Sequence, residues 1–328
     1  MLDGVSRLRV PMPLAGFGAA QLGNLFRETS DAEAAGAVDA AWAAGIRYYD
    51  TAPHYGLGLS ERRLGSALAD RARAEMLVST KVGRLLVPSP QTADVRDDEG
   101  FAVPAAVHRV WDFSADGVRR SLDASLDRLG LDRIDIVYVH DPDDHGDAAS
   151  SSAIPALIAL REQGIVDAIG VGMNQSAMPA EFVRRHDIDL VMLAGRFTLL
   201  DQIALDDLLP LAEERGVGIV AAGVYNSGLL SEPRPAPGGM YNYAPAPPEL
   251  VERAVRLAAV CEAHGVELPT AAVQFPLRHP AVVSVVVGAR TAEQVRVNVE
   301  RLATPVPDDL WAELESSGLV RPLNGVRR

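Results

Sequence analysis

Cysteine is nearly absent from the sequence, and this scarcity excludes two kinds of structural site. The 328 residues include one cysteine, Cys261. A single thiol cannot form an intrachain disulfide, and it cannot build a zinc site from cysteine ligands. His145 lies among the aspartates of segment 141–147. That composition is more typical of a solvated acidic loop than of a metal centre, so we expect no bound metal.

Long apolar runs and basic runs are missing as well. Apolar segments such as AVVSVVVGA are too short to cross a bilayer. The net charge is −13, and no cluster of basic residues is present that would neutralise the phosphates of a nucleic acid. The first residues, MLDGVSRLRV, lack the apolar centre of a signal peptide. We therefore expect a cytoplasmic protein that binds neither nucleic acid nor a membrane.

What the sequence does contain is a regular alternation of short apolar runs and helical patterns. Asp31 is predicted to cap the first helix, and Ser60 and Ser114 are predicted to open the next two. The runs are apolar on both faces, which is typical of parallel strands covered by helices. The predicted strands are 14–20, 46–51, 76–82, 134–140, 168–173, 190–195, 218–223 and 282–288.

Eight such units in one chain predict an α/β protein with a closed (β/α)8 TIM barrel, forming a single domain over residues 1–328. The alternative is an open, doubly wound sheet. The first run begins the segment LAGFGAAQLG, whose glycines do not have the Gly-x-Gly-x-x-Gly spacing of a dinucleotide-binding open sheet. This absence favours the barrel.

Several segments outside the repeating units are predicted to matter. Residues 6–13, SRLRVPMP, are expected to form an N-terminal β-hairpin that closes the bottom of the barrel. The segments 84–113, 141–150 and 224–247 are longer than ordinary loops and all follow predicted strands. Loops of this length in a compact domain are usually functional or disordered. We expect all three at the carboxyl-terminal face of the barrel, where substrate would enter.

Ionisable residues close three of the apolar runs. Asp50 ends IRYYD, Lys81 ends MLVSTK and His140 ends IDIVYVH, while Tyr55 follows Asp50 by five residues. Burying a charge costs several kcal/mol unless the charge is paired. Because the carboxyl ends of neighbouring parallel strands converge, the four side chains are predicted to share one site.

These four residue types together can move a proton. A tyrosine hydroxyl has a pKa of about 10, and a neighbouring ammonium such as Lys81 lowers that value. Asp50 would hold Lys81 in its charged form, and His140 would orient the reacting oxygen. Taken singly, each has an ordinary explanation, for example a loop cap or a core histidine. The sequence offers no serine or cysteine nucleophile elbow, so acyl transfer is not expected.

The segments around these residues resemble the aldo-keto reductase superfamily. The resemblance is carried by YYDTAPHYGLGLSERRLGSAL, STKVGR and LDRIDIVYVHDPD. It implies a (β/α)8 barrel that transfers a hydride between NAD or NADP and a carbonyl or carbinol carbon. It also implies that Asp50, Tyr55, Lys81 and His140 are the catalytic residues.

Within the superfamily, GVGMNQ, AAGVYNSGLL and the long segment 84–113 resemble the branch that oxidises L-fucose and other D-threo-aldoses at C1 to the lactone. L-Galactose dehydrogenase and pyridoxal 4-dehydrogenase are similar relatives. An aldose or aldehyde is therefore the expected small-molecule substrate. His54, Trp111 and Tyr225 are the candidates for the wall of its pocket.

The resemblance also assigns cofactor residues. The backbone amides of segment 288–291 would bind phosphate at a helix N-terminus. Two departures are visible, because Ala194 and Ala222 stand where the family often has a glutamine and a stacking aromatic. Tyr225 is the candidate replacement for the aromatic. The predicted cofactor-binding residues are Asn174, Ser227, Gly288, Ala289, Arg290, Thr291, Gln294 and Asn298.

Three alternatives stay open at this stage. The same relay run in reverse would make an NADPH-dependent aldehyde or ketone reductase, or the chain could act on pyridoxal. A non-catalytic regulatory subunit that kept the barrel and the cofactor is an alternative of another class. The choice between NAD and NADP is also open, because Arg290 suits either a 2′-phosphate or the pyrophosphate.

Overall fold

The computed structural model describes residues 8–236, 238–242 and 244–323 of the chain. Eight parallel strands form a closed barrel in chain order. The last strand pairs with the first, with Gly288 opposite Gly18. The predicted TIM barrel is therefore confirmed, and the open sheet is excluded. The barrel strands are β1 (Ala15–Gly18), β2 (Tyr48–Asp50), β3 (Leu77–Val82), β4 (Ile136–His140), β5 (Ala168–Met173), β6 (Leu190–Ala194), β7 (Gly218–Ala222) and β8 (Val282–Gly288).

Two apolar layers explain why these strands are hydrophobic on both faces. Alternate side chains point into the barrel, where Tyr48, Leu77 and Tyr138 belong to an interior cluster. The intervening residues, such as Tyr49 and Val78, pack outward against the helices in the main core. The Tyr48 hydroxyl lies 3.2 Å from that of Tyr138, so the buried phenols satisfy each other's polar atoms.

Helices cover the outside of the barrel. None of the helices in the described residues combines the length and the apolarity that crossing a bilayer requires. The α-helices are Asp31–Ala43, Leu59–Leu68, Ala115–Leu129, Gly146–Ala148, Ile154–Glu162, Ala177–Arg185, Leu208–Arg215, Pro248–Ala263, Leu268–Gln274, Ala292–Ala303 and Asp308–Ser316.

The predicted starts of the first three helices were right in one case. Ser114 caps its helix, and its hydroxyl accepts a hydrogen bond from the amide of Gly117. Asp31 is instead the first helical residue, because Ser30 caps that helix in a capping box with Glu33. Ser60 lies inside its helix, and its hydroxyl donates to the Ala19 carbonyl across the gap to the loop after β1.

The segment before β1 lies against the interior apolar cluster without forming a strand. Residues 8–14 have no strand assignment, so the predicted hairpin is wrong over residues 8–13. Leu8, Val10 and Met12 nevertheless pack on that cluster, as expected for a segment that closes the barrel. Residues 6 and 7 of the predicted hairpin lie outside the described residues.

Two of the long loops contain small sheets of their own. Segment 84–113 carries an antiparallel ribbon of Arg84–Pro88 and Val107–Trp111. Segment 224–247 carries a two-residue pairing of Met240–Tyr241 with Ala244–Pro245. These segments leave the barrel after β3 and β7, and therefore at its carboxyl-terminal face, where (β/α)8 enzymes place their active sites.

Candidate active site

The strand ends bring the predicted ionisable residues together. Asp50 is the last residue of β2, Lys81 is the penultimate residue of β3 and His140 is the last residue of β4. The barrel pairs β2 with β3 and β3 with β4, so these three positions are neighbours. Tyr55 lies in the loop after β2, above the same strand ends.

Asp50 and Lys81 form a buried ion pair. Their side chains are 3% and 2% exposed, and Lys81 Nζ lies 2.7 Å from Asp50 Oδ2. Lys81 also donates to the Thr51 carbonyl, and the other Asp50 oxygen accepts from Ser79. Burial alone would lower the pKa of Lys81, but the opposing effects of Asp50 and Tyr55 outweigh it and raise the pKa. The site therefore keeps its ammonium.

Tyr55 lies directly beside this ammonium. Lys81 Nζ is 4.7 Å from the centroid of the Tyr55 ring, and the phenol contributes both charge and a hydrogen bond to the raised pKa of Lys81. The turn that carries Tyr55 is tight, because the next residue, Gly56, has φ of +62°. A β-carbon on Gly56 would lie 2.2 Å from the Gly23 carbonyl oxygen. Only glycine allows the loop to hold the phenol at this position.

His140 is buried on the other side of the phenol and is neutral. Its ring centroid is 5.8 Å from that of Tyr55, in an edge-on arrangement. Burial, with Arg84 and Lys81 as the next contributions, holds the pKa of His140 well below its usual range. Arg84 Nη1 lies 3.0 Å from His140 Nδ1. An arginine can only donate, so Nδ1 accepts and the ring hydrogen is on Nε2.

Two of the three predicted pocket residues lie in this neighbourhood. The His54 ring is 5.9 Å from that of Tyr55 and 5.1 Å from Phe101. Burial, followed by nearby cations, lowers the pKa of His54 to about 2. Trp111 is exposed at the end of the inserted ribbon, and the Arg84 guanidinium lies 4.3 Å from its ring centroid.

The third predicted pocket residue lies elsewhere. The Tyr225 hydroxyl donates to Asn298 at 3.1 Å, on helix Ala292–Ala303. Arg301 of the same helix lies 5.9 Å from the ring centroid. Tyr225 therefore lies against the helix that carries the predicted cofactor residue Asn298, and its role as a wall of the substrate pocket stays a prediction. The loop after β7 turns its side chain outward toward this helix.

The segment after β8 leads into the N-terminus of helix Ala292–Ala303, which is the kind of position where anions bind. Thr291 caps the helix by accepting from the Gln294 amide. The Gln294 side chain in turn accepts from the Arg290 amide at 2.8 Å. Gly288 is exposed and lies against Gln21, where a β-carbon would come within 2.5 Å of the glutamine. Asn174 directly follows β5, Ser227 lies five residues after the end of β7, and both are exposed.

Arg290 is placed differently from the expectation of a phosphate contact. Its guanidinium donates to the carbonyls of Leu25 and Arg27 and to the Thr29 hydroxyl. The side chain is buried by these contacts and braces the loop after β1. The charged end of Arg290 therefore points away from the helix start, and only its backbone lies there.

Two further polar groups at this face fit a bound dinucleotide and were not predicted. Gln21 Oε1 and Asn226 Oδ1 are buried and accept no hydrogen bond from the described residues. Asn226 donates to the Gly195 carbonyl, which fixes its amide between the ends of β6 and β7. Free acceptors suit the hydroxyl and amide donors of a dinucleotide. The described residues contain no grouping of histidine, cysteine and carboxylates that would hold a metal ion.

The fold is a (β/α)8 barrel. At its carboxyl-terminal face, a phenol lies beside a lysine ammonium, and nearby polar groups suit a dinucleotide. These features define a nicotinamide-dependent oxidoreductase. The chain belongs to the aldo/keto reductase family, whose model matches residues 15–318. Its cofactor is NAD or NADP.

Curated relatives cover almost the whole chain. A D-threo-aldose 1-dehydrogenase of Pseudomonas sp is 51% identical over 94% of this chain and 95% of its own length. A pyridoxal 4-dehydrogenase of Microbacterium luteolum is 39% identical, covering 96% and 97%. An L-galactose dehydrogenase of Arabidopsis thaliana is 32% identical, covering 93% and 86%.

Solved structures agree on the fold. The aldo-keto reductase AKR11C1 from Bacillus halodurans, in its holo form, superimposes with a TM-score of 0.71 at 26% identity, covering 95% of this chain and 94% of its own. The glycerol dehydrogenase AKR11B4 from Gluconobacter oxydans gives a TM-score of 0.73 at 22% identity, covering 100% and 98%, and shows the fold alone.

Proposed function

We propose that this protein oxidises a D-threo-aldose such as L-fucose at C1 to the lactone, with NAD or NADP as the hydride acceptor. The observation that carries the proposal is the buried Asp50–Lys81 pair directly beside the Tyr55 phenol. The 51% identity to a D-threo-aldose 1-dehydrogenase supports the substrate class.

The chain's own residues handle the proton. Tyr55 removes the proton of the C1 hydroxyl, and the Lys81 ammonium favours the phenolate that accepts it. The Nε2 hydrogen of neutral His140 donates to the same oxygen and orients it. The bound nicotinamide supplies the acceptor for the hydride that leaves C1. Loss of one hydride and one proton converts the hemiacetal carbon to the lactone carbonyl.

Residues at the ends of β5, β7 and β8 hold the cofactor in this proposal. Backbone amides at 288–291 and the start of helix Ala292–Ala303 suit the negative charge of a phosphate. Gln21 and Asn226 add free acceptors close to this region. The side chains and backbone groups assigned to the cofactor are those of Asn174, Ser227, Gly288, Ala289, Arg290, Thr291, Gln294 and Asn298.

The substrate is selected by the inserted loops in this proposal. His54 and Trp111 lie next to the relay. Trp111 belongs to segment 84–113, and His54 contacts Phe101 of that segment. Arg109 of that segment donates to the His54 carbonyl at 3.0 Å, so the insert is fixed to the loop that carries Tyr55. A change in the insert therefore reaches the reacting centre directly.

The test is a substrate panel followed by absorbance at the reduced-nicotinamide band. L-Fucose, L-galactose, other aldoses of both configurations and pyridoxal are each offered with NAD and with NADP. The proposal expects reduction of the nicotinamide with D-threo-aldoses at the highest kcat/KM. Faster turnover of pyridoxal than of any aldose would contradict the proposal and identify pyridoxal as the substrate. Cofactor binding without turnover of any compound would indicate the regulatory-subunit alternative.

A further inference from the structure

Arg84 is the one cation that contacts the imidazole of His140 directly among the described residues. The two guanidinium nitrogens bridge His140 and its neighbour, since Nη1 lies 3.0 Å from His140 Nδ1 and Nη2 lies 3.2 Å from Asp141 Oδ2. Arg84 is 8% exposed and opens the inserted ribbon directly after β3. Nothing in the relay of Asp50, Lys81 and Tyr55 requires this arginine.

We propose that Arg84 is a positioning residue that fixes His140 as the neutral, Nε2-protonated tautomer and so keeps its only ring hydrogen on the nitrogen that donates to the reacting oxygen of the substrate. The inference rests on the proposed function, because it explains how His140 orients the hydroxyl in that reaction. It goes further in assigning the task to an arginine of the inserted segment.

The geometry around Arg84 leaves it one orientation. Its guanidinium stacks on Trp111 with 4.3 Å between Cζ and the ring centroid, and Trp111 itself stacks on Phe113. Asp141 adopts a left-handed backbone conformation with φ of +41°, which places its carboxylate beside the guanidinium. The aromatic ring above the guanidinium and the carboxylate beside it hold this planar donor against the imidazole.

The tautomer matters because a free imidazole can carry its hydrogen on either ring nitrogen. If the hydrogen moved to Nδ1, Nε2 would become an acceptor and could no longer donate to the substrate oxygen. Arg84 opposes this because an acceptor facing its N–H must lack hydrogen, and Asp141 Oδ2, 3.4 Å from Nε2, favours the same tautomer from the other side of the ring. In serine hydrolases, loss of the group that fixes the histidine tautomer lowers kcat by about 10⁴.

Charge acts in the same direction as geometry. Burial and the positive charge of Arg84 are the two largest reasons that the pKa of His140 is low, so the ring stays neutral. The ionisable groups around His140 come from the inserted ribbon, from β3, from the loop after β2 and from the residue after β4: Arg84, Arg109, Lys81, His54, Tyr55 and Asp141.

The experiment compares Arg84→Met and Arg84→Lys with the wild type. Arg96→Met is the matched control, since Arg96 is an exposed arginine of the same insert. The enzyme is labelled with ¹⁵N-histidine and saturated with cofactor, and the His140 signals among the seven histidines are identified with His140→Gln. The ring ¹⁵N shifts report directly which nitrogen carries the hydrogen.

The wild type and Arg96→Met are expected to show His140 with hydrogen on Nε2 alone. Arg84→Met should show a mixture of both tautomers, a fall in kcat/KM of about 10- to 100-fold and an acidic limb of the pH profile shifted to higher pH. Arg84→Lys keeps the buried charge, so its acidic limb should stay near that of the wild type and its kcat/KM should lie between the two. This variant keeps the test available if Arg84→Met does not fold.

The proposal fails if Arg84→Met shows the wild-type His140 tautomer and pH profile while only KM changes, because Arg84 would then serve as a pocket wall alone. It fails equally if Arg84→Lys keeps the wild-type kcat/KM. The ¹⁵N result does not depend on which aldose is turned over. Failure of the proposed function would appear separately, as a wild-type enzyme with the expected tautomer that oxidises no aldose.

Discussion

Lys81 is the only lysine in the 328-residue sequence, in which every other side chain of fixed positive charge is an arginine. It is buried, contacts Asp50 at 2.7 Å and lies beside the Tyr55 ring. A lysine ammonium is a compact point charge, whereas an arginine guanidinium is a broad planar fork. The tight space between Asp50 and the phenol fits the compact ammonium. That the sequence has only one lysine also points to this residue, and the prediction from the strand ends did not draw on it.

Titration of Lys81 is the first residue-scale prediction. Asp50 and Tyr55 raise its pKa against the effect of burial, so the amine should stay protonated through neutral pH and titrate at a higher pH than an ordinary lysine. Protein labelled with ¹³C-lysine gives the side-chain signal of this one residue, and its chemical shift is followed with pH. A midpoint near neutral pH would contradict the assigned role, because the phenol would then lack its charged partner.

Removal of the Lys81 charge should affect both activity and stability. Lys81→Met leaves Asp50 buried and unpaired, which costs about 3–5 kcal/mol of unfolding free energy. The double variant Asp50→Asn/Lys81→Met removes both charges and should recover a large part of that stability without recovering turnover. Urea unfolding and nicotinamide reduction measure the two effects. Equal stability of the single and double variants would mean that the unpaired Asp50 charge is not what destabilises Lys81→Met.

His54 should make the protein less stable in mild acid. Its pKa is about 2 in the fold and about 6.5 when unfolded, so below pH 6.5 the unfolded state binds a proton that the folded state does not. Stability therefore falls as the pH falls. Between pH 7.5 and 5.5 the wild type should lose about 1.4 kcal/mol more than His54→Gln. Identical losses in urea unfolding at the two pH values would refute a buried neutral His54.

At the scale of elements, the inserted segment is tied to the catalytic loop by one buried arginine. Arg109 on strand Val107–Trp111 pairs with Asp97 at 2.5 Å and donates to the His54 carbonyl at 3.0 Å. Both partners of the ion pair are largely shielded from solvent. The pair therefore holds the ribbon, the loop after β2 and the pocket wall in one arrangement.

Loosening this anchor should weaken substrate binding and leave cofactor binding intact. Arg109→Met is expected to raise KM for the aldose about 10-fold, because a misplaced pocket wall loses roughly 1.4 kcal/mol of binding. The dissociation constant for the cofactor should not change, since its proposed site lies at the ends of β5, β7 and β8. Arg96→Met serves as the control. A parallel rise in the cofactor dissociation constant would show that the insert acts on the whole site.

The elements themselves were predictable, while several side-chain directions were not. Each predicted strand overlaps its barrel strand, because runs that are apolar on both faces have few other structures available. Arg290 and Tyr225 were placed in the right segments but with other partners. Which way a loop side chain turns depends on packing against elements distant in sequence. The free acceptor on Gln21 is equally a product of the folded arrangement.

At the scale of the whole molecule, closure of the barrel is what converts scattered residues into a site. Asp50 and His140 are 90 positions apart in sequence, yet their strands both flank β3. The strand-end pattern predicted this convergence because parallel strands carry their carboxyl ends to one face. The single-domain organisation over 1–328 stays a prediction, and one cooperative unfolding transition seen by both circular dichroism and tryptophan fluorescence would support it.

The central claim is that the Tyr55 hydroxyl moves the proton in a hydride-transfer reaction at this face. The most direct measurement is single-turnover nicotinamide reduction by Tyr55→Phe with the best aldose, together with cofactor binding by fluorescence titration. The variant is expected to bind the cofactor as the wild type does and to lose at least about 10²–10⁴-fold in the rate of hydride transfer. Wild-type rates in Tyr55→Phe would contradict the assigned relay.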